Sequence, residues 1–175
     1  TLTDLGEAQV LAGQLSRGRE TLATVAVRAS AERRGDLLCR AVLAGGSGVG
    51  GYEVDVRDPQ QVPRLRDVLA LIGDDDRRLR SAVLARIALV DTSLTVEDRA
   101  ALADDAAAMA ARSRDIAAEV AALAARCDIL SGPDHVEDRL AATTRMVQLA
   151  QQHGDPVTLL VARRQRLLAL LEHGE

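Results

Sequence analysis

The 175-residue sequence has no phenylalanine and no tryptophan, and Tyr52 is its one aromatic side chain. An interior without other aromatic rings must be filled by Leu, Val, Ile and Ala, and the large alanine share implies helices that approach one another closely. Lysine is missing too. All 22 basic residues are arginine, a bias that fits a GC-rich coding sequence better than a chemical need. The only cysteines, Cys39 and Cys127, lie 88 residues apart on apolar helix faces, so free buried thiols in a reducing cytosol are expected rather than a disulfide. No apolar run approaches the roughly 20 residues of a membrane span. The net charge of −4 comes from signs that are interspersed, which marks no dedicated nucleic-acid surface.

What the sequence does have is a repeat. Displaced by 40 residues, Ala110 to Asp115 falls on Ala150 to Asp155, Val120 on Leu160, Ala122 on Ala162 and Arg126 on Arg166. A further 40 residues back, Ala70, Asp75, Ala82 and Arg86 occupy the same places, and Asp36 follows one step off register. An aspartate thus recurs at 36, 75, 115 and 155, each between two apolar helical patterns. Ile116, Val120, Leu123, Cys127 and Leu130 are spaced by 4, 3, 4 and 3, which places them on one helix face. One helix pair cannot bury such a face alone, so neighbouring pairs must stack. The fold expected is all-α: a right-handed solenoid of antiparallel helix pairs, about nine helices with a period near 40.

In chain order, the first helices run from about Leu5 to Leu15 with Asp4 and Glu7 as a capping pair, Arg19 to Arg34 after an Arg17-Gly18 turn, and Leu37 to Ala44. Residues 1–44 form the first repeats, 45–57 a Gly-rich inter-repeat loop and 58–175 the further repeats of one continuous solenoid. Asp58-Pro59 introduces a helix to Ile72, whose true start lies nearer Val62 because Pro63 sits awkwardly inside it. Helices over Asp76–Val90 and Thr95–Arg112 follow, the second with small inward residues (Ala103, Ala106, Ala110) that demand a close partner. The last three cover 115–130, 134–152 and 156–172, with Asp134 and Glu137 at capping-box spacing and Gly154 suited to a left-handed helix end. The chain starts in mid-pattern, as a piece of a longer protein is expected to.

The sharpest motif match is Gly46-Ser47-Gly48-Val49-Gly50-Gly51, which satisfies G-x-G-x-x-G. A dinucleotide fingerprint needs a strand before it and a helix opening from it. Here a helical repeat precedes it and Tyr52-Glu53-Val54-Asp55 follows, so it reads as a glycine tether. Tyr52, Val54 and Val56 alternate, and the segment is expected to dock on the helices as extended coil without a sheet partner. His135, His153 and His173 fall at helix ends without metal-ligand spacing, and Asp74-Asp75-Asp76 suits a helix N-terminus. No catalytic, cofactor-binding or metal-binding set is expected. The recurrent Arg86, Arg126 and Arg166 read either as cations paired with acids of neighbouring helices or as a basic stripe for an acidic partner. With Tyr52, they are the candidate interaction residues.

Three phrases carry a resemblance: Leu79 to Leu89 (LRSAVLARIAL), Gly132 to Ala141 (GPDHVEDRLA) and His153-Gly154-Asp155-Pro156. With the Gly-rich break before Asp58-Pro59, the chain resembles the helical-repeat region of large actinobacterial ATP-dependent LuxR-type transcriptional regulators, the MalT-like group. Similar repeats occur in ATPase–adenylate cyclase fusions. The resemblance implies a parent with an N-terminal ATPase and a C-terminal helix-turn-helix domain, of which this stretch is the tetratricopeptide-like middle. Its period departs from the 34 residues of the standard tetratricopeptide repeat, whose aromatic signature it also lacks. The function implied is a non-catalytic protein-interaction and sensing domain in the cytoplasm. The alternative is a regulatory domain that binds a small molecule between helices near the Gly-rich loop. Its partners are another protein or other domains of the same chain, with self-association through exposed end helices. Neither nucleic acid nor membrane is expected to contact it directly.

Overall fold

The computed structural model of the protein describes residues 1–47, 54–55, 58–74 and 76–174. Among these, nine helices follow one another: α1 (Leu2–Leu11), α2 (Leu15–Ala31), α3 (Gly35–Gly45), α4 (Gln61–Ile72), α5 (Arg77–Val90), α6 (Val96–Ser113), α7 (Ile116–Ile129), α8 (Val136–His153) and α9 (Pro156–His173). The fold is all-α, with helices packed in neighbouring pairs as a helical-repeat protein requires. The odd-numbered helices form one layer in which each packs on the next. The even-numbered helices lie against that layer and make hardly any contact with one another.

The repeat is written into the turns. Asp76, Asp115 and Asp155 each accept a backbone N–H from three residues on, at 3.1, 3.0 and 2.7 Å, and so start α5, α7 and α9. Asp36 sits instead in the first turn of α3, and Asp75 lies outside the described residues. A residue just past the end of the preceding even helix takes a positive φ at Arg33, Gly73, Arg114 and Gly154, again about every 40 residues. A period of two helices is therefore visible in the backbone as well as in the side chains.

Apolar burial follows the spacing read above. Leu79, Val83, Ile87 and Val90 of α5 pack with Leu38, Cys39 and Val42 of α3 and Leu65 and Val68 of α4. Farther along, Val120, Ala124 and Cys127 of α7 meet Met146 and Ala150 of α8 and Ala162 of α9. Between these clusters alanine dominates the contact: Ala85, Ala106 and Ala122 form one knot, and Ala88 and Ala103 join Ile129 and Leu130 in another. Ala103, Ala106 and Ala110 are all fully buried, as the close approach of α6 demands.

Several local expectations fail for identifiable reasons. Helix α1 begins at Leu2 because Thr1, not Asp4, is its cap, with Asp4 reaching back to complete the capping box. Gly18 does not turn the chain; Gly13, at φ +78°, does. Gly18 lies inside α2 because a side chain there would come within 2.7 Å of Val10 Cγ2 on α1. Asp134 does not cap α8, since Pro133–His135 forms a 3-10 turn and Glu137 faces His173 at 3.1 Å. Gly45 extends α3 into the start of the expected loop. Val54 is not partnerless coil: it forms an isolated antiparallel bridge with Ser47 while its side chain packs on the α3–α5 cluster. Tyr52, Val56 and Gly48 to Gly51 lie outside the described residues.

Candidate functional site

Because the even helices stand apart, α2 and α4 leave a half-open cavity of about 740 Å³ between them, floored by α3. Its apolar surface comes from Leu22 and Ala26 of α2 and Leu38, Ala41 and Val42 of α3. Leu22 and Ala41 also belong to the α1–α3 cluster, so the floor is part of the core and is held rigidly. Gly45 and Gly46 reach the cavity where α3 ends, which places it beside the Gly-rich segment.

The polar groups gather at two places. Where α3 ends, Arg19 pairs with Asp55 at 2.9 Å and also donates to the Ser47 carbonyl at 3.4 Å, while its buried Nε has no partner. Next to it, Gln61 is 2% exposed and spans the gap by donating from Nε2 to the Asp55 carbonyl at 2.6 Å. Gln61 Oε1 accepts from Arg86 at 3.1 Å, and Arg86 also donates to the Leu43 carbonyl at 3.3 Å. A methyl group on Gly46 would stand 2.5 Å from Gln61 Oε1 and 3.0 Å from Arg86 Nη1, so the bare glycine is what lets these groups come together. Nearer the mouth, Arg64 pairs with Asp58 at 2.9 Å, and Asp67 lines the cavity exposed.

The three recurrent arginines all turn onto the preceding even helix, so they do not form an open basic stripe. Arg126 pairs with Asp104 of α6 at 2.7 Å, and Arg166 donates to the Thr144 hydroxyl of α8. Among the described residues only Arg126 has the acidic partner expected for such a pairing. Arg86 meets an amide and a carbonyl, neither of them charged, and its burial pulls the guanidinium down to about 10. Tyr52, the fourth candidate, is outside the described residues.

Other reactive groups are separated or inert. Cys39 and Cys127 are free and buried in different clusters, and burial pushes both thiols up to about 11. Among the described residues no group of three His, Cys, Asp or Glu side chains could hold a metal ion. Nor is any helix among them long and apolar enough to cross a membrane.

Sequence reasoning missed Arg19, Gln61 and Asp67. Gln61 had a signal: it stands in line with Leu65, Val68 and Ile72, a polar residue on an otherwise apolar stripe. No family model matches this chain, and neither does any curated protein or solved structure.

Proposed function

We propose that this chain is a non-catalytic sensing domain of a larger cytoplasmic transcriptional regulator, receiving its signal as a small molecule in the α2–α4 cavity. The observation that carries this reading is the cavity itself. Its volume of about 740 Å³ lies within the range of roughly 300–1,000 Å³ usual for ligand sites, and a rigid apolar floor meets a few convergent polar groups. The regulatory setting comes from the resemblance to the LuxR-type repeat regions, in which this part of the protein lies between an ATPase and a DNA-binding domain. Interspersed charge of both signs supports contacts with other protein domains rather than with nucleic acid.

A second reading, a surface for another protein, is favoured by the outward face of α9. There Leu160, Leu167 and Leu171 are each at least half exposed and spaced by 7 and 4 residues.

A thermal-shift screen with a metabolite panel separates the two readings. A ligand at 100 times its Kd stabilises the fold by about 2.7 kcal/mol. The sensing reading expects at least one hit that disappears when Ala41→Phe fills the cavity. Hits that survive that substitution, or a panel without hits alongside a captured protein partner lost on Leu167→Glu, favour the protein-binding surface instead.

A further inference from the structure

Charge balance where α3 ends at the cavity points to the class of ligand. Two guanidinium groups, Arg19 and Arg86, converge on the end of α3, and Asp55 is the one carboxylate paired with either of them among the described residues. Both also donate to carbonyls at that end, Leu43 for Arg86 and Ser47 for Arg19. A helix C-terminus supplies only about half a negative charge, and here two cations share it. One carboxylate and half a charge against two full cations leave this end positive. Arg19 Nε is in addition buried without an acceptor, a donor group that folding has stripped of water and left unmatched.

The mouth of the cavity carries the opposite excess, since Arg64 is matched by Asp58 and Asp67 has no ion pair among the described residues. The two excesses are not equivalent. Asp67 is exposed, so water and salt screen it and its lack of a partner costs little. Arg86 is surrounded by protein, where a charge without a counter-ion is expensive and where the same field acts across a much lower dielectric. The buried cation therefore decides the sign.

We infer that the cavity takes a small organic carboxylate with an apolar body, its anionic group seated among Arg19, Gln61 and Gly46 and its body lying on Leu22, Ala26 and Leu38. This rests on the reading of the cavity as the sensing site and names the ligand class for it. Arg19, which lines the cavity, makes the direct contact through the exposed part of its guanidinium. Arg86 is a positioning residue that acts through Gln61, one hydrogen bond behind the wall. Gly46 keeps that wall thin.

The test is a titration of the isotopically labelled chain with hexanoate, hexan-1-ol and hexylamine, three probes of one length that differ in charge, followed by amide chemical shifts. Hexanoate is expected to bind at least tenfold more tightly than the other two and to move the Gly46 and Gln61 resonances. Arg86→Met and Arg19→Gln should each weaken hexanoate by tenfold or more while leaving hexan-1-ol unchanged. Arg86→Met removes an uncompensated buried charge and is expected to fold, and Arg19→Gln provides a second reading at a half-exposed position. Hexan-1-ol or hexylamine binding as well as hexanoate overturns the anion assignment and leaves the cavity reading standing. Hexanoate binding unchanged in both variants overturns it as well. Failure of all three probes to bind, together with a blank metabolite panel, overturns the cavity reading itself.

Discussion

The Ser81 hydroxyl of α5 donates to the Ala106 carbonyl of α6 at 2.8 Å, and both residues are wholly excluded from solvent. A side-chain hydroxyl reaches a helical carbonyl of the next element only where two helix backbones lie close together. Ala85, Ala106 and Ala122 surround this contact, with no larger buried side chain in their cluster. Ala106→Leu therefore has no space to enter. It should cost about 1–3 kcal/mol, read as a lowered urea midpoint. An unchanged midpoint would mean that α6 can move away freely, against this packing.

Two adjacent glycines should respond in opposite directions. Gly46 has an ordinary φ of −83°, so its backbone tolerates alanine, but the added methyl would meet Gln61, whose amide is anchored at both ends. Gly46→Ala should cost about 1–3 kcal/mol. At Gly45 the nearest atom to such a methyl is Leu22 Cβ at 3.9 Å, and the residue is helical. Gly45→Ala should stabilise by about 0.5–1 kcal/mol. Thermal melts of the two variants, run side by side, check both signs.

Acid should weaken the cap of α9. Asp155 is held below the ordinary carboxylate range, first by the Thr158 backbone N–H and then by its hydroxyl. A carboxylate whose pKa is lowered on folding contributes stability that is present above its unfolded value and lost as the pH falls through the folded one. Asp155→Ala should thus cost about 1 kcal/mol at neutral pH, with the difference from the wild type shrinking as the pH is stepped down. A pH-independent difference would place the effect in packing rather than in the charged cap.

Exposed leucines on α9 should make the chain self-associate. Light scattering at rising concentration should give a mass above the 18.6 kDa of one chain. Leu167→Glu combined with Leu171→Glu should return it to that mass, since both lie on the outward face. A wild type that remains monomeric at high concentration would show that the face is tolerated bare.

The helix pairs were legible in the sequence because each reads out locally. Spacings of three and four mark Leu79, Val83 and Ile87, and capping aspartates mark the starts of α7 and α9. The first pair was misplaced where signals competed, as at Gly18, whose role depends on Val10 of another helix. The candidate site was hardly legible, because Arg19, Gln61 and Arg86 are brought together from α2, α4 and α5 by packing alone. Recurrence drew attention to Arg86, yet that it meets an amide and a carbonyl rather than a carboxylate among the described residues depends on what stands opposite it in space.

The alanine contact of α5, α6 and α7 bears on how one half of the molecule influences the other. A methyl group has no rotamers, so Ala85, Ala88, Ala103, Ala106 and Ala122 cannot absorb a displacement by repacking. Leucine-rich contacts on either side can yield by changing side-chain conformation, whereas these alanines can yield only by moving their backbones. A shift of α3 and α4 against α5 would accordingly press on α6 and α7 through alanine contacts that have little side-chain freedom to take it up.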